Sequence, residues 1–214
     1  MPNVKTYSNK TNGNTSISTN FKISEFRCKD GTDKILIDTE MVFILQKLRE
    51  ISGKAVVINS AYRTLAYNKS PKVGGASNSY HLYGRAFDIK SSGLSIIDNV
   101  CAIANTLGIK GIIKYSTFVH IDSRASKYHA NSAGTKLSFG KYAIAYPKTL
   151  IKNGSKSNDV GVVQFKLNSL GYSCGTVDGI CGVKTVTAIK NFQKANNLAV
   201  DGIVGINTWN KLFN

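Results

Sequence analysis

One thirteen-residue pattern recurs near the C-terminal end: VDGICGVKTVTAI from Val177 and VDGIVGINTWNKL from Val200 share D-G-I-x-G-x-x-T-x-x-x-aliphatic. Such an echo restricts this part of the chain to repeated supersecondary units, each too small to bury an apolar face alone. One Asp and two Gly make each copy a tight turn, and Thr185 and Thr208 then fall in the first turn of a following helix. A further helical pattern, Val160, Val163, Leu167 and Leu170, precedes both copies and stops at Gly171. Residues 150–214 are therefore expected to form a small three-helix module.

The remaining chain shows other periods. The polar stretch 1–20 has little to bury and reads as an extended or loosely docked arm. In DTEMVFILQKLREISG, Asp38 or Thr39 can cap a helix, Met41, Ile44, Leu45 and Leu48 share one face, and Gly53 supplies the stop. KAVVINSAYR follows as a buried strand that delivers Ser60, Tyr62 and Arg63 beyond its end. LSIIDNVCAIANTLGI repeats the helical period through Ile96, Val100, Ile103, Ala104 and Leu107 and ends at Gly108. KGIIKYSTFVHID offers two short strands around a Tyr-Ser-Thr turn. An α+β domain, helices around a small antiparallel sheet, is thus expected over 21–130, followed by an aperiodic linker at 131–149.

Charge narrows the partners. There are 28 Lys and Arg against 12 Asp and Glu, a net charge of +16, shared as 21 against 9 over residues 1–149 and 7 against 3 over 150–214. Such a surface favours polyanions. With no dense basic run and no recognition-helix pattern, nucleic acid is not the expected partner, whereas phosphate-rich wall polymers would attract the same charge. No opening apolar run and no stretch of about 18 apolar residues occur, so the expectation is a soluble monomer made in the cytoplasm without Sec export. Cys28, Cys101, Cys174 and Cys181 lack CxxC spacing; Cys28 and Cys101 read as small buried hydrophobes, and Cys174 and Cys181 as a reduced pair.

Three histidines, at 81, 120 and 129, make the metal accounting short. In NSYHLYGRAFDIK, Gly84 lets the backbone turn after His81, and strand alternation sets Asp88 opposite Phe87 and Ile89. In FVHID, the same alternation puts His120 and Asp122 on one side and Val119 and Ile121 on the other. Two His and one Asp suit a catalytic zinc with a position left for water. The spacing alone is equally compatible with a buried histidine beside an unrelated carboxylate.

Larger blocks carry a resemblance. S-A-Y-R at 60–63, A-Y-N at 66–68, V-G-G-A-S-N-S-Y-H-L-Y-G-R-A-F-D-I at 73–89 and F-V-H-I-D at 118–122 resemble the M15 group of zinc D-Ala-D-Ala carboxypeptidase-like peptidases, over about residues 20–130. The resemblance implies His81, Asp88 and His120 as ligands of one Zn2+ and Arg63 as a cation that anchors substrate and stabilises an oxyanion. Ser60, Tyr62 and Tyr115 are expected beside it as substrate contacts. Many relatives place an acidic general base three residues before the last histidine, where this chain has Thr117. Asp122 is the candidate base, with orientation of His120 as its other role, and His129 is expected at the surface or in contact with substrate.

The last part resembles the peptidoglycan-binding domain 1 family through G-S at 154–155, L-G-Y at 170–172, D-G-I-C-G-V-K-T, N-F-Q at 191–193 and D-G-I-V-G-I-N-T-W. Cys181 stands where relatives often have Phe. Asp178, Asp201 and Trp209 are the candidate wall contacts. Together the two resemblances imply an enzyme that hydrolyses peptidoglycan stem peptides or cross-links, of a phage endolysin type that acts at the wall after release. A sporulation or autolytic hydrolase and an inactive wall-binding protein are the alternatives.

Overall fold

The computed structural model describes residues 2–91 and 97–214. Strand β1 (Val4–Ser8) is followed by a short helix α1 (Asn9–Asn12), a 3₁₀ turn (Ile23–Phe26) and strand β2 (Lys34–Asp38). Residues 1–20 are therefore not a loose arm. β1 pairs antiparallel with β2, Val4 opposite Asp38 and Ser8 opposite Lys34, and Tyr7 packs against the core. Backbone pairing, which the side-chain pattern does not report, ties the segment down.

Helix α2 (Thr39–Ser52) is capped as its sequence predicts: the Asp38 carboxylate accepts from the Glu40 N–H, and Gly53 closes the end in the left-handed conformation. Met41, Ile44, Leu45 and Leu48 are all buried on its inner face. Strand β3 (Val56–Ser60), helix α3 (Leu65–Lys69), a second 3₁₀ turn (Tyr80–Tyr83) and strand β4 (Ala86–Ser91) follow. Helix α4 (Ile97–Leu107) buries Val100, Ile103, Ala104 and Leu107; Ile96, assigned to the same face, lies outside the described residues.

Strands β5 (Gly111–Lys114), β6 (Val119–Asp122) and β7 (Tyr128–Asn131) complete a five-stranded sheet in the order β3-β4-β6-β5-β7. The sheet is mixed rather than antiparallel throughout, because β7 joins β5 in parallel. Its four residues are too few to show a period. Alternation divides the two faces: Phe87, Ile89, Ile112, Val119 and Ile121 are buried in the core, and the residues between them face the other way. Across that second face the register puts Ser60 opposite Asp88, Asp88 opposite His120, and His120 opposite Ile113. One row across four strands thus collects residues far apart in sequence.

Beyond β7 the linker is docked. Phe139 and Ile144 are buried, and the Ile144 carbonyl accepts from the indole N–H of Trp209 at 2.9 Å. Three helices follow, α5 (Asn158–Ser169), α6 (Val183–Ala195) and α7 (Ile206–Phe213). Each Asp-Gly turn is braced by a buried glutamine of the preceding helix. Gln164 Nε2 donates to Asp178 Oδ1, the Ile180 carbonyl and Thr185 Oγ1 at 2.9–3.0 Å, and its Oε1 accepts from Gly179 N at 2.9 Å. Gln193 repeats this with Asp201, Ile203, Thr208 and Gly202 at 2.8–3.1 Å.

The module packs against α2 and α4. Lys47, nearly buried, reaches Asp159 at 2.6 Å, Asn158 donates to the Phe43 carbonyl, and Glu40 accepts from Val177 N at 3.1 Å. All four cysteines are free and buried. Among the described residues no helix is long and apolar enough to cross a membrane.

Candidate metal centre

The row on the second sheet face opens into a cleft of about 650 Å³. Asp88 and His120 reach it as directly opposed residues of β4 and β6, and His81 is delivered by the 3₁₀ turn. Gly84, which ends that turn, has φ +65°, and a Cβ there would lie 2.4 Å from the Leu36 carbonyl oxygen. Only glycine turns the chain so tightly against β2.

His81 Nε2, His120 Nδ1 and Asp88 Oδ1 converge: the two nitrogens are 3.2 Å apart, and the oxygen lies 3.2 and 2.8 Å from them. The opposite nitrogens fix the tautomers. His81 Nδ1 lies 2.6 Å from the Ala61 carbonyl, which can only accept, so Nδ1 carries the proton and Nε2 presents a lone pair. His120 Nε2 lies 3.1 Å from Asp122 Oδ2, which likewise directs its N–H backwards and its Nδ1 lone pair into the cluster. With both imidazoles neutral, two lone pairs and a carboxylate oxygen therefore face one another with no hydrogen among them. That arrangement is repulsive unless a cation joins it, and a borderline ion such as zinc suits an N₂O set with an open position. Among the described residues, His81, Asp88 and His120 form the one such group of metal-ligand donors.

Electrostatics agree. Without metal, burial opposes the charged form of Asp88, but its contacts with His120 and His81, one of which then holds a proton between them, outweigh it and keep the carboxyl well below the usual range. Without metal, burial lowers the His120 pKa, yet Asp122 and Asp88 on its two sides raise it to about 9. His81 is shifted down, chiefly by burial. A metal ion would take the place of the proton on His120.

Arg63 binds the other oxygen of Asp88 through NH2 at 2.5 Å, while its Nε donates to Ser60 Oγ at 2.8 Å. Asn68, fully buried, accepts from NH1 at 3.5 Å and ties the loop at 75–76 to α3. The guanidinium is thereby held in the lining of the cleft, each of its three nitrogens fixed by one partner. Tyr115 lines the same cleft and stacks on Phe118, centroids 4.2 Å apart and planes at 12°.

Several expected residues lie elsewhere. Tyr62 is in the core, 8 % exposed, because β3 ends at Ser60 and strand alternation no longer carries the residue two positions on to the cleft face. Asp122 is not placed as a base. It is fully buried behind His120, and Arg124 grips both its oxygens, Nε to Oδ1 at 2.7 Å and NH2 to Oδ2 at 2.5 Å. Burial would raise its pKa, but His120 and Arg124 lower it to about 2. A carboxylate so held orients the imidazole. It fits against Gly111, where a Cβ would sit 2.0 Å from Oδ1. His129 is buried against Phe139 rather than exposed, and Thr117 lies on the exposed turn between β5 and β6.

In the module, Trp209 has no exposed surface and cannot meet a wall polymer; its ring packs between Tyr146 and Phe213. Asp178 and Asp201 each spend one oxygen on the glutamine brace and on their own turn. Sequence reading missed Arg124, whose guanidinium also lies over the rings of Tyr80 and Tyr128 at 5.2 and 4.6 Å. Its signal was the D-x-R spacing after the histidine. The Ala61 carbonyl has no sequence signal.

Comparison with known proteins follows the same division. Residues 19–122 match the family model described as "Peptidase M15", and residues 156–212 match "Putative peptidoglycan binding domain". The spore cortex-lytic enzyme of Bacillus cereus is 38% identical over 68 residues, 32% of this chain and 26% of that protein. The N-acetylmuramoyl-L-alanine amidase CwlM of Mycobacterium tuberculosis is 39% identical over 56 residues, 26% of this chain and 14% of that one. The chain thus spans about a quarter or less of these relatives' lengths. Among solved structures, the SleB N-terminal domain shares 37% identity, covering 32% of this chain and 93% of that chain, with a TM-score of 0.31. The chain thus carries a peptidase M15 domain over residues 19–122 and a peptidoglycan-binding domain over 156–212.

Proposed function

We propose that this protein is a zinc-dependent peptidase that hydrolyses an amide bond in peptidoglycan stem peptides or their cross-links. One observation carries the reading: two imidazole lone pairs and a carboxylate oxygen converge in an open cleft, each imidazole fixed from behind by an acceptor. Bound there, zinc would activate water and polarise the scissile carbonyl. The protein's own groups supply the rest. Arg63, clamped by Ser60 and Asp88, offers its free N–H groups to an oxyanion or a substrate carboxylate. Arg124 and Asp122 keep the His120 proton on Nε2. The Tyr115–Phe118 stack forms an apolar wall against which a peptide side chain can lie.

The C-terminal domain would hold the enzyme on its insoluble substrate and so raise its local concentration. An endolysin-type role, with synthesis in the host cytoplasm and action at the wall after release, fits this pairing, as does a sporulation or autolytic hydrolase. The net charge of +16 would add attraction to anionic wall polymers. Zinc-loaded protein should release soluble fragments from purified walls, and mass spectrometry of them identifies the cut bond. Loss of all release on His81→Ala supports the reading; full release by that variant contradicts it.

A second reading, a wall-binding protein without catalysis, is favoured by one feature. Asp88 is the only carboxylate lining the cleft among the described residues, so no carboxylate is free to move protons. A zinc-loaded chain that sediments with walls but releases no fragment would select it.

A further inference from the structure

With Trp209 buried and both turn aspartates engaged, the wall contact must be sought elsewhere. A second cavity, of about 410 Å³, lies where α4, the linker and the module meet. Three lysines line it, Lys141 from the linker, Lys166 from α5 and Lys211 from α7, and no carboxylate side chain does. Tyr172 and Phe192 give it an aromatic wall, their rings 5.5 Å apart edge to face.

Lys166 is the least compensated of the three. Lys166, partly buried, donates to the Thr106 carbonyl at 2.6 Å, and Lys141 donates to a main-chain oxygen of the last residue, Asn214, at 2.7 Å. Neither meets a carboxylate side chain, and Lys211 makes no ion pair among the described residues. Burial of Lys166, with the Lys141 charge added, pushes its pKa down to about 8. Elsewhere along the same seam, Lys47 is neutralised by Asp159 and Glu50. Lys141 and Lys211 are exposed at the cavity mouth, whereas the Lys166 ammonium is partly buried without a carboxylate side chain beside it, a state that an anion relieves.

We propose that this seam cavity binds an oxyanion carried on a wall polymer, the ammonium groups of Lys141, Lys166 and Lys211 taking the anion and Tyr172 and Phe192 packing against the carbon skeleton that bears it. The inference deepens the wall-binding part of the function proposed above and rests on it. Two sources share this chemistry: phosphodiesters of polyol-phosphate polymers and carboxylates of peptidoglycan itself.

The test uses the full chain and the double variant Lys141→Gln/Lys211→Gln, which changes two exposed positions. Sedimentation is measured with intact walls and with walls stripped of phosphate polymer by acid. The wild type should bind with an affinity that falls with salt, and the variant about tenfold more weakly with a shallower salt slope, at unchanged zinc content. A deficit only on intact walls assigns phosphate; a deficit on both assigns carboxylate. In parallel, inorganic phosphate at constant ionic strength should raise the melting temperature of the wild type and not of the variant. Lysine-dependent stabilisation by phosphate without any wall sedimentation would leave the site standing and remove the wall reading. Equal binding to both walls and equal phosphate response by the two proteins would overturn the site.

Discussion

The metal centre and the two glutamine braces are both buried polar clusters, yet they differ in how their hydrogen-bonding groups are matched. Gln164 and Gln193 give their amide hydrogens to carbonyl, carboxylate and hydroxyl oxygens and accept backbone N–H groups in return. In each copy every amide hydrogen meets an oxygen, three acceptors sharing the two hydrogens. At the metal centre the groups behind the imidazoles are equally well matched, but the forward atoms are three acceptors turned on one another. A closed network stabilises a turn and asks for no partner. An open one, held rigidly in a cleft, marks the place where a cation belongs.

The largest effect should come from removing an acceptor in the open cluster. His81→Ala should abolish zinc binding at stoichiometric protein and lower peptide release at least about a thousandfold. Its melting temperature should stay close to that of the zinc-free wild type, as read by circular dichroism. The closed cluster should respond the opposite way. Gln164→Ala strands the buried Gly179 N–H, and should destabilise the chain by roughly 1–3 kcal/mol in urea unfolding with zinc stoichiometry unchanged. Comparable zinc loss in both variants would erase the distinction.

Between these extremes lies the support behind His120. Asp122→Asn keeps the shape but weakens the hold on the imidazole, and zinc affinity should fall about 10- to 100-fold in competition with a chelator. Arg124→Met should fall by less, because Asp122 keeps its backbone contact with Arg124 N at 3.0 Å. A mild pH effect completes the series. In the zinc-free protein the His120 pKa is raised from 6.5 to about 9, so its contribution to stability is complete below about pH 6.5 and is lost as pH rises through 9. The Asp122 pKa is lowered from 3.8 to about 2, so its contribution is present above about pH 4 and lost as pH falls through 2. Melting temperature should therefore decline on both sides of a plateau, and saturating zinc should remove the alkaline decline.

What could be read from the sequence follows from the range of the interactions. The α2 cap and stop, the strand alternation around Asp88 and His120, and the Asp-Gly turns are local, and each appears within a few residues. The shared bracing role of Gln164 and Gln193 is not legible, although Gln193 stands in the N-F-Q motif, because the two lie 29 residues apart while the turns they brace lie 23 apart. The unequal spacing breaks the echo. Tyr62 and Trp209 were misplaced for a related reason: both are aromatic and adjacent to motif residues, but burial is decided by what packs against them from other elements. Asp122 is on the expected face, and of its two expected roles its contacts favour orientation of His120 over that of a base. Arg124, two residues on, occupies Asp122, and that pairing is set by the chain's turn after β6.

The central claim is that His81, Asp88 and His120 together hold one zinc ion. Native mass spectrometry of the full chain after zinc loading and removal of excess metal, paired with X-ray absorption at the zinc edge, tests it most directly. One zinc per chain with a first shell of two imidazole nitrogens and oxygen, lost together in His81→Ala and His120→Ala, is the predicted result. A chain that retains no zinc, or one zinc that survives in both variants, would contradict it.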